Sequence, residues 1–171
     1  MSEPKRYYGK YRGTVMNNVD PEQRARILVS VPDADGIGPP AWAMPAVPVA
    51  GKQMGVFLVP PIGASVWIEF EQGDPNLPVW TGGFWASSAE VPAPAALGLP
   101  ISPSMVLQTS AQNTIAISDA PGPSGGIMLR TSTGAMILVS DAGITIANGK
   151  GASITLTGPT ISLNDGAMEI T

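Results

Sequence analysis

From Ser104 to Thr171 the chain repeats one short phrase: an apolar residue, a middle residue that is usually small or polar, and a second apolar residue. The phrase reads Ile115-Ala116-Ile117, Ile127-Met128-Leu129, Ile137-Leu138-Val139, Ile144-Thr145-Ile146, Ile154-Thr155-Leu156, Ile161-Ser162-Leu163 and Met168-Glu169-Ile170. From Ile127 onward the starts stand 10, 7, 10, 7 and 7 residues apart. Two steps make a 17-residue period, visible as Gly126-Ile127, Gly143-Ile144 and Thr160-Ile161, and again as Gly134 and Gly151 ahead of Ile137 and Ile154. Such a period signals stacked β units, each unable to bury its apolar face alone. Each short strand offers two apolar side chains per face, worth ~1.5 to 3 kcal/mol apiece when fully buried, while ordering each residue costs ~1 to 2 kcal/mol. A lone meander of such strands is therefore marginal, and the missing cover is either another coil of the same chain or other chains. Three chains intertwined around one axis would bury the outer residues of every triad, leave Thr, Ser, Asn and Asp outside, and close each strand edge against a neighbour. That trimer is the preferred expectation, with a single-chain solenoid as its alternative. Asn148-Gly149 and Asn164-Asp165-Gly166 suit the tight turns that either needs.

The first half is written differently. GKYRGTVMNNV, RARILVSVPD, AWAMPAVPVAG, GVFLVPPIGASVWIEFEQGD and LPVWTGGFW read as five strands separated by turns, antiparallel where the turns are short. Alternation is clear in Ile27, Val29, Val31 and in Val66, Ile68, Phe70. Five strands in about 80 residues suit a small closed Greek-key barrel of the OB type. Trp42, Trp67, Phe70, Trp80 and Trp85 are the expected large anchors of its core, and no aromatic residue follows Trp85. Between Val91 and Pro103 the stretch VPAPAALGLPISP has four prolines and no charge, which predicts a stiff, extended connector. The expected organisation is an arm over residues 1–10, a barrel over 11–88, a connector over 89–103 and the repetitive β region over 104–171.

Charge and composition exclude several functions. The net charge is −4 with no run of like charges, so the basic footprint of a nucleic-acid binder is absent. Six of the nine basic residues, Lys5, Arg6, Lys10, Arg12, Arg24 and Arg26, lie in the first 26 positions and read as a solvated face or a contact with an acidic partner. With neither cysteine nor histidine, disulfides, thiolate nucleophiles, ordinary zinc sites and imidazole acid–base chemistry are all removed, and no cofactor or metal is expected. No segment reads as a signal peptide or a membrane helix, which predicts a soluble protein made in the cytoplasm.

The segments GKYRGTVMNNVDPEQRARILVSVPD, WAMPAVPVAG and VPPIGASVWIEFEQGDPNLPVWTGGFW together resemble the OB-fold domain of the phage baseplate assembly protein V family. That family is similar to the central spikes of contractile tails and of VgrG proteins. The resemblance runs from Tyr11 to Trp85 and is most specific over Gly73-Asp74-Pro75, Pro78-Val79-Trp80 and the final glycine pair and Trp85. The order of barrel, connector and repetitive β region matches the family as well. The resemblance implies an all-β protein in which an N-terminal OB-fold barrel precedes a C-terminal intertwined trimeric β-helix. It further implies a homotrimeric needle seated under a separate baseplate hub, which makes transient contact with the target outer membrane as it is driven through mechanically. The fourteen outer triad residues would form the needle's core: Ile115, Ile117, Ile127, Leu129, Ile137, Val139, Ile144, Ile146, Ile154, Leu156, Ile161, Leu163, Met168 and Ile170.

Departures from the family pattern refine the expectation. The interval from Trp85 to Ser104 is too short for the lysozyme domain of some spikes, and a chain without histidine cannot build the histidine-ligated iron tip of others. A separate PAAR-like tip protein is therefore expected at Met168, Glu169, Ile170 and Thr171. The hub would be met by Lys5, Arg6, Tyr7, Tyr8, Lys10 and Arg12.

Two other classes compete. Glu69 and Glu71 are two apart on one strand, with Asp74 beyond, and could be pictured as a glycosidase pair, but exposed carboxylates on a strand are ordinary. An enzyme is not expected. An OB barrel with Tyr7, Tyr8 and Tyr11 as a stacking surface could bind single-stranded nucleic acid, or the barrel could bind carbohydrate, with a monomeric solenoid tail; the negative charge opposes the nucleic-acid form. Gly36-Ile37-Gly38 is too short for a phosphate loop, and Pro39-Pro40 follows where a helix should begin.

Overall fold

The computed structural model of the chain describes residues 5–32 and 39–170; Gly36-Ile37-Gly38 and Thr171 lie outside them. Among the described residues the regular structure is β-strand and short 3-10 turns, divided into two compact units at residues 1–90 and 91–171.

In the first unit the strands are β1 (Tyr11–Asn17), β2 (Ile27–Ser30), β3 (Ala41–Pro45), β4 (Ala50–Gly51), β5 (Met54–Gly55), β6 (Ser65–Phe70) and β7 (Pro78–Gly83). Five of them close a barrel in the order β1-β2-β3-β7-β6, and β4 pairs with β5 in a small separate hairpin. The expected strand count holds, but the pairing is not wholly antiparallel. β3 and β7 run parallel through Met44 to Val79 and Pro45 to Trp80, because a Greek-key path brings its last strand back beside the third in the same direction.

Strand parity decides the core. Ile27, Val29, Val66, Ile68 and Phe70 are buried, as their alternation predicts, and Val15, Ala43 and Trp80 join them. Because successive side chains point to opposite faces, burial of Val66 and Ile68 sends Trp67 outward. The same rule turns Trp42 away from buried Ala43. Trp67 stacks on Phe84, with the Arg12 guanidinium over both rings, while Arg26 covers Trp42. Trp85 follows the last barrel strand and is 61% exposed. Of the five expected anchors, only Phe70 and Trp80 reach the barrel core.

Asp20 organises one loop of the barrel. Its carboxylate accepts hydrogen bonds from the backbone N–H groups of Glu22, Arg24 and Arg26 at 2.8 to 3.2 Å, and from the Arg26 side chain at 2.7 and 3.0 Å. The Arg26 hydrogen bonds first, and the backbone donors after them, hold the Asp20 carboxyl far below the usual carboxylate range; the same pairing raises Arg26. This carboxylate stabilises a loop in which Gln23 and Ala25 both have positive φ, a conformation that side chains other than glycine's seldom adopt. The Ala25 carbonyl in turn accepts the Trp80 indole N–H at 3.1 Å, which ties the loop to the core.

The first unit ends in a 3-10 turn at Ser88–Glu90. In the second unit the proline-rich connector coils, with a 3-10 turn at Ala93–Leu97 and a bridge between Leu99 and Ser102, in place of the expected extended run. Proline's fixed φ fits the first turn of a 3-10 segment as well as it fits extended chain. After it come β8 (Met105–Gln108), β9 (Thr114–Ser118), β10 (Gly126–Arg130), β11 (Ala135–Ser140), β12 (Gly143–Asn148), β13 (Ser153–Thr157), β14 (Thr160–Leu163) and β15 (Met168–Ile170). They form one antiparallel meander in sequence order. β9 to β14 each pair with neighbours from the same chain on both sides, so the expected interlacing of strands between chains is replaced by self-pairing, and among the described residues the open edges of this sheet are those of β8 and β15. The turns explain this: β11–β12 and β13–β14 are joined by two residues each, the loop length that favours a hairpin with the next strand. At the opposite corners longer turns are stapled by side chains: Asn148 Oδ1 accepts from the N–H of Lys150 and Ala152, and Asn164 Oδ1 accepts from Ser153. One short turn, one long turn and two strands make up the 17-residue period.

Candidate assembly interface

The register of the meander aligns the triads. Met105, Ile117, Ile127, Val139, Ile144, Leu156, Ile161 and Ile170 stand opposite one another strand after strand and form one ladder across all eight strands. Leu107, Ile115, Leu129, Ile137, Ile146, Ile154, Leu163 and Met168 form a second, two positions away along each strand and therefore on the same face. All fourteen residues expected in the needle's core lie in these two rows. Met105 and Leu107, which lie outside the triads read from the sequence, extend both rows by one strand.

Neither ladder contains a charge or a hydrogen-bonding side chain. In the single chain thirteen of the sixteen residues are exposed, and the other three, Ile144, Leu156 and Leu163, are half-buried. A continuous apolar face of this extent is far more than a solvated sheet tolerates and marks an interface. Covering it would add roughly 1 kcal/mol per half-exposed side chain.

The opposite face changes character along the meander. Val106, Ala116, Met128 and Leu138 occupy its middle row on β8 to β11, then Thr145, Thr155, Ser162 and Glu169 on β12 to β15. The polar exterior expected for the whole region therefore holds for its second half only. On the first half the 3-10 turns at Ala93–Leu97 and Gly122–Ser124 lie beside β8 and β11, and Ala116 is buried.

On the barrel the proposed hub residues divide. Tyr7 is only 5% exposed; its ring packs with Tyr11 and Phe70 at centroid distances of 6.1 and 5.9 Å, and its N–H donates to the Gly73 carbonyl. It is a core residue, which removes it both from a hub contact and from the base-stacking surface considered above; Tyr11 likewise packs against the core. Tyr8 is exposed, Lys10 pairs with Glu69 and reaches Thr81, and Arg12 lies over Trp67 and Phe84. Arg6 makes a long hydrogen bond to the Gln72 carbonyl, while Lys5 lies over the Tyr7 ring. Glu71 begins a 3-10 turn instead of continuing the strand of Glu69, so the two carboxylates do not stand as a strand pair. The carboxyl of Asp74 is lowered chiefly by the Asn76 backbone N–H, then by its side-chain amide, with Arg6 adding to the effect. Among the described residues no group of three or more acidic side chains could hold a metal ion, and no helix is long and apolar enough to cross a membrane.

A closed five-stranded barrel followed by a sheet with one wholly apolar, uncovered face defines a protein built to assemble. Comparison with known families specifies the class. Residues 11–85 match the type VI secretion system/phage-baseplate injector OB domain, and residues 104–169 match the phage baseplate V C-terminal trimerisation domain. The chain belongs to the phage baseplate assembly protein V family, with a baseplate spike role and self-association as a homotrimer. No curated protein matches it.

Proposed function

We propose that this protein is the central spike of a contractile tail or injection machine, made as a soluble chain and then built into a virion baseplate or comparable particle. Three copies bring their C-terminal sheets together, ladders inward, as a three-sided needle whose walls are each one chain's meander. The needle caps the tube beneath a separate hub and is driven through the target outer membrane by sheath contraction. The two unbroken apolar ladders, in a segment that matches a trimerisation domain, are the observation that carries this reading. The mechanism is mechanical. Under load the relevant property is the rate of forced unfolding, and sequential hydrogen-bonded strands stapled to an apolar axis resist it.

The outward residues Lys5, Arg6, Tyr8, Lys10 and Arg12 are the proposed hub contact. The open edge of β15, with Met168 and Ile170 exposed, is the proposed seat of a PAAR-like tip protein, joined by Glu169 and Thr171. Particles carrying Ile137→Asp with Ile146→Asp, which place charges on adjacent rungs, test the reading. Contraction without penetration or delivery is expected; particles that penetrate normally with a monomeric form of this chain would contradict it.

A further inference from the structure

The barrel unit carries a second apolar surface that the needle does not use. Between β3 and β6 the chain leaves the barrel, forms the β4–β5 hairpin and returns as Val56-Phe57-Leu58-Val59-Pro60-Pro61-Ile62. Val49, Met54, Val56, Phe57, Leu58 and Ile62 are all exposed, Phe57 at 71%. The segment is held at both ends and in the middle, since Val47, Val59 and Ala64 pack against the core. Its backbone is also fixed: the Val56 N–H donates to Val49, the Asn18 side-chain amide donates to the Pro60 carbonyl and the Gly63 N–H donates to Val15. That last pair of bonds sets it beside β1, whose Met16 is exposed, and beside exposed Val19. Lys52 is the single charged residue from position 49 to position 62. An ordered, nearly uncharged apolar surface on a small barrel marks a contact site.

We infer that this surface packs against a second copy of the chain, the neighbouring barrel of the same trimer. The inference rests on the trimer reading above, and tethering selects the occupant. Residues 84–104 join barrel to sheet, and even fully extended they reach ~75 Å. Three barrels held within that radius of a common axis see one another at an effective concentration on the order of 1 mM. The coiling of the connector shortens the reach and raises that figure. A contact with a millimolar dissociation constant, too weak to hold free barrels together, is then substantially occupied.

The chain has no cysteine, so one introduced thiol is a clean probe. Full-length Phe57→Cys and, separately, Ile62→Cys are purified alone, their mass is measured by light scattering, and their reaction with a maleimide is timed natively and in urea. Burial slows a thiol. The expected result is a trimer in which both thiols react at least about tenfold more slowly than when unfolded. A trimer whose thiols react within about threefold of the unfolded rate overturns this inference alone, including the case where the surface awaits a hub. A monomer overturns it together with the trimer reading.

Discussion

Trp67 and Trp80 look alike in the sequence but occupy opposite faces of the barrel wall. Trp80 is buried and donates its indole N–H to Ala25, whereas Trp67 lies outside beneath Arg12. Trp80→Ala should therefore cost about 3–5 kcal/mol, against about 1 kcal/mol for Trp67→Ala, measured by urea unfolding followed by circular dichroism at one protein concentration. Parity is legible in the sequence: the alternation of Val66, Ile68 and Phe70 puts residue 67 outside, and aromatic bulk does not override it. Tyr7 is the converse case. No alternation flanks it, so nothing local announced that it would fold back onto Phe70. Asp20 gives a pH prediction. Its folded pKa is depressed, so the unfolded chain binds more protons at acid pH; its contribution is complete above about pH 5 and is lost progressively as the pH falls through and below the ordinary carboxylate range. Asp20→Asn should lower the melting temperature at pH 7 and flatten its decline between pH 5 and pH 3. An unchanged slope would show that the carboxylate does not govern the loop.

At the level of elements, the repeat's glycines have two different jobs. A Cβ on Gly126 would stand 1.9 Å from the Val139 carbonyl oxygen, and one on Gly143, 17 residues later, 2.1 Å from that of Leu156. Each opens a strand at positive φ, with the backbone of the next strand in the meander against it. Gly151 also has positive φ, yet a Cβ there would meet nothing within 4 Å. Gly151→Ala should cost about 1–3 kcal/mol through conformation alone, and Gly126→Ala or Gly143→Ala more, because a backbone carbonyl must also move. Thermal melting of the three variants side by side reads the difference, and equal losses would contradict it. The triads made the ladders legible in advance because a period of two fixes the face of every residue once the register is set. Chain exchange was a different matter. Whether a strand pairs with its own chain or another is decided by turn length, and the two-residue turns that favour self-pairing show in the sequence only as the shorter step of the spacing.

For the whole molecule, the two units place apolar surface differently. The barrel closes its core within one chain and exposes an ordered apolar segment over residues 49–62, whereas the sheet exposes nearly all its large side chains on one face. A chain with so little covered in its second half is half of a structure, completed by copies of itself. Ladder geometry fixes which side chains are buried and not how many faces meet, so the number three rests on the family resemblance of the sequence and on the trimerisation domain matched over residues 104–169. The most direct test is the absolute mass of the purified full-length chain by light scattering, alone and as the Ile137→Asp, Ile146→Asp double variant. The predicted mass is about 53 kDa, three times the 17.6 kDa chain, persisting in mild detergent and lost in the variant. A compact 17.6 kDa particle with the wild-type sequence would contradict the account, because both ladders would then have to be covered within a single chain.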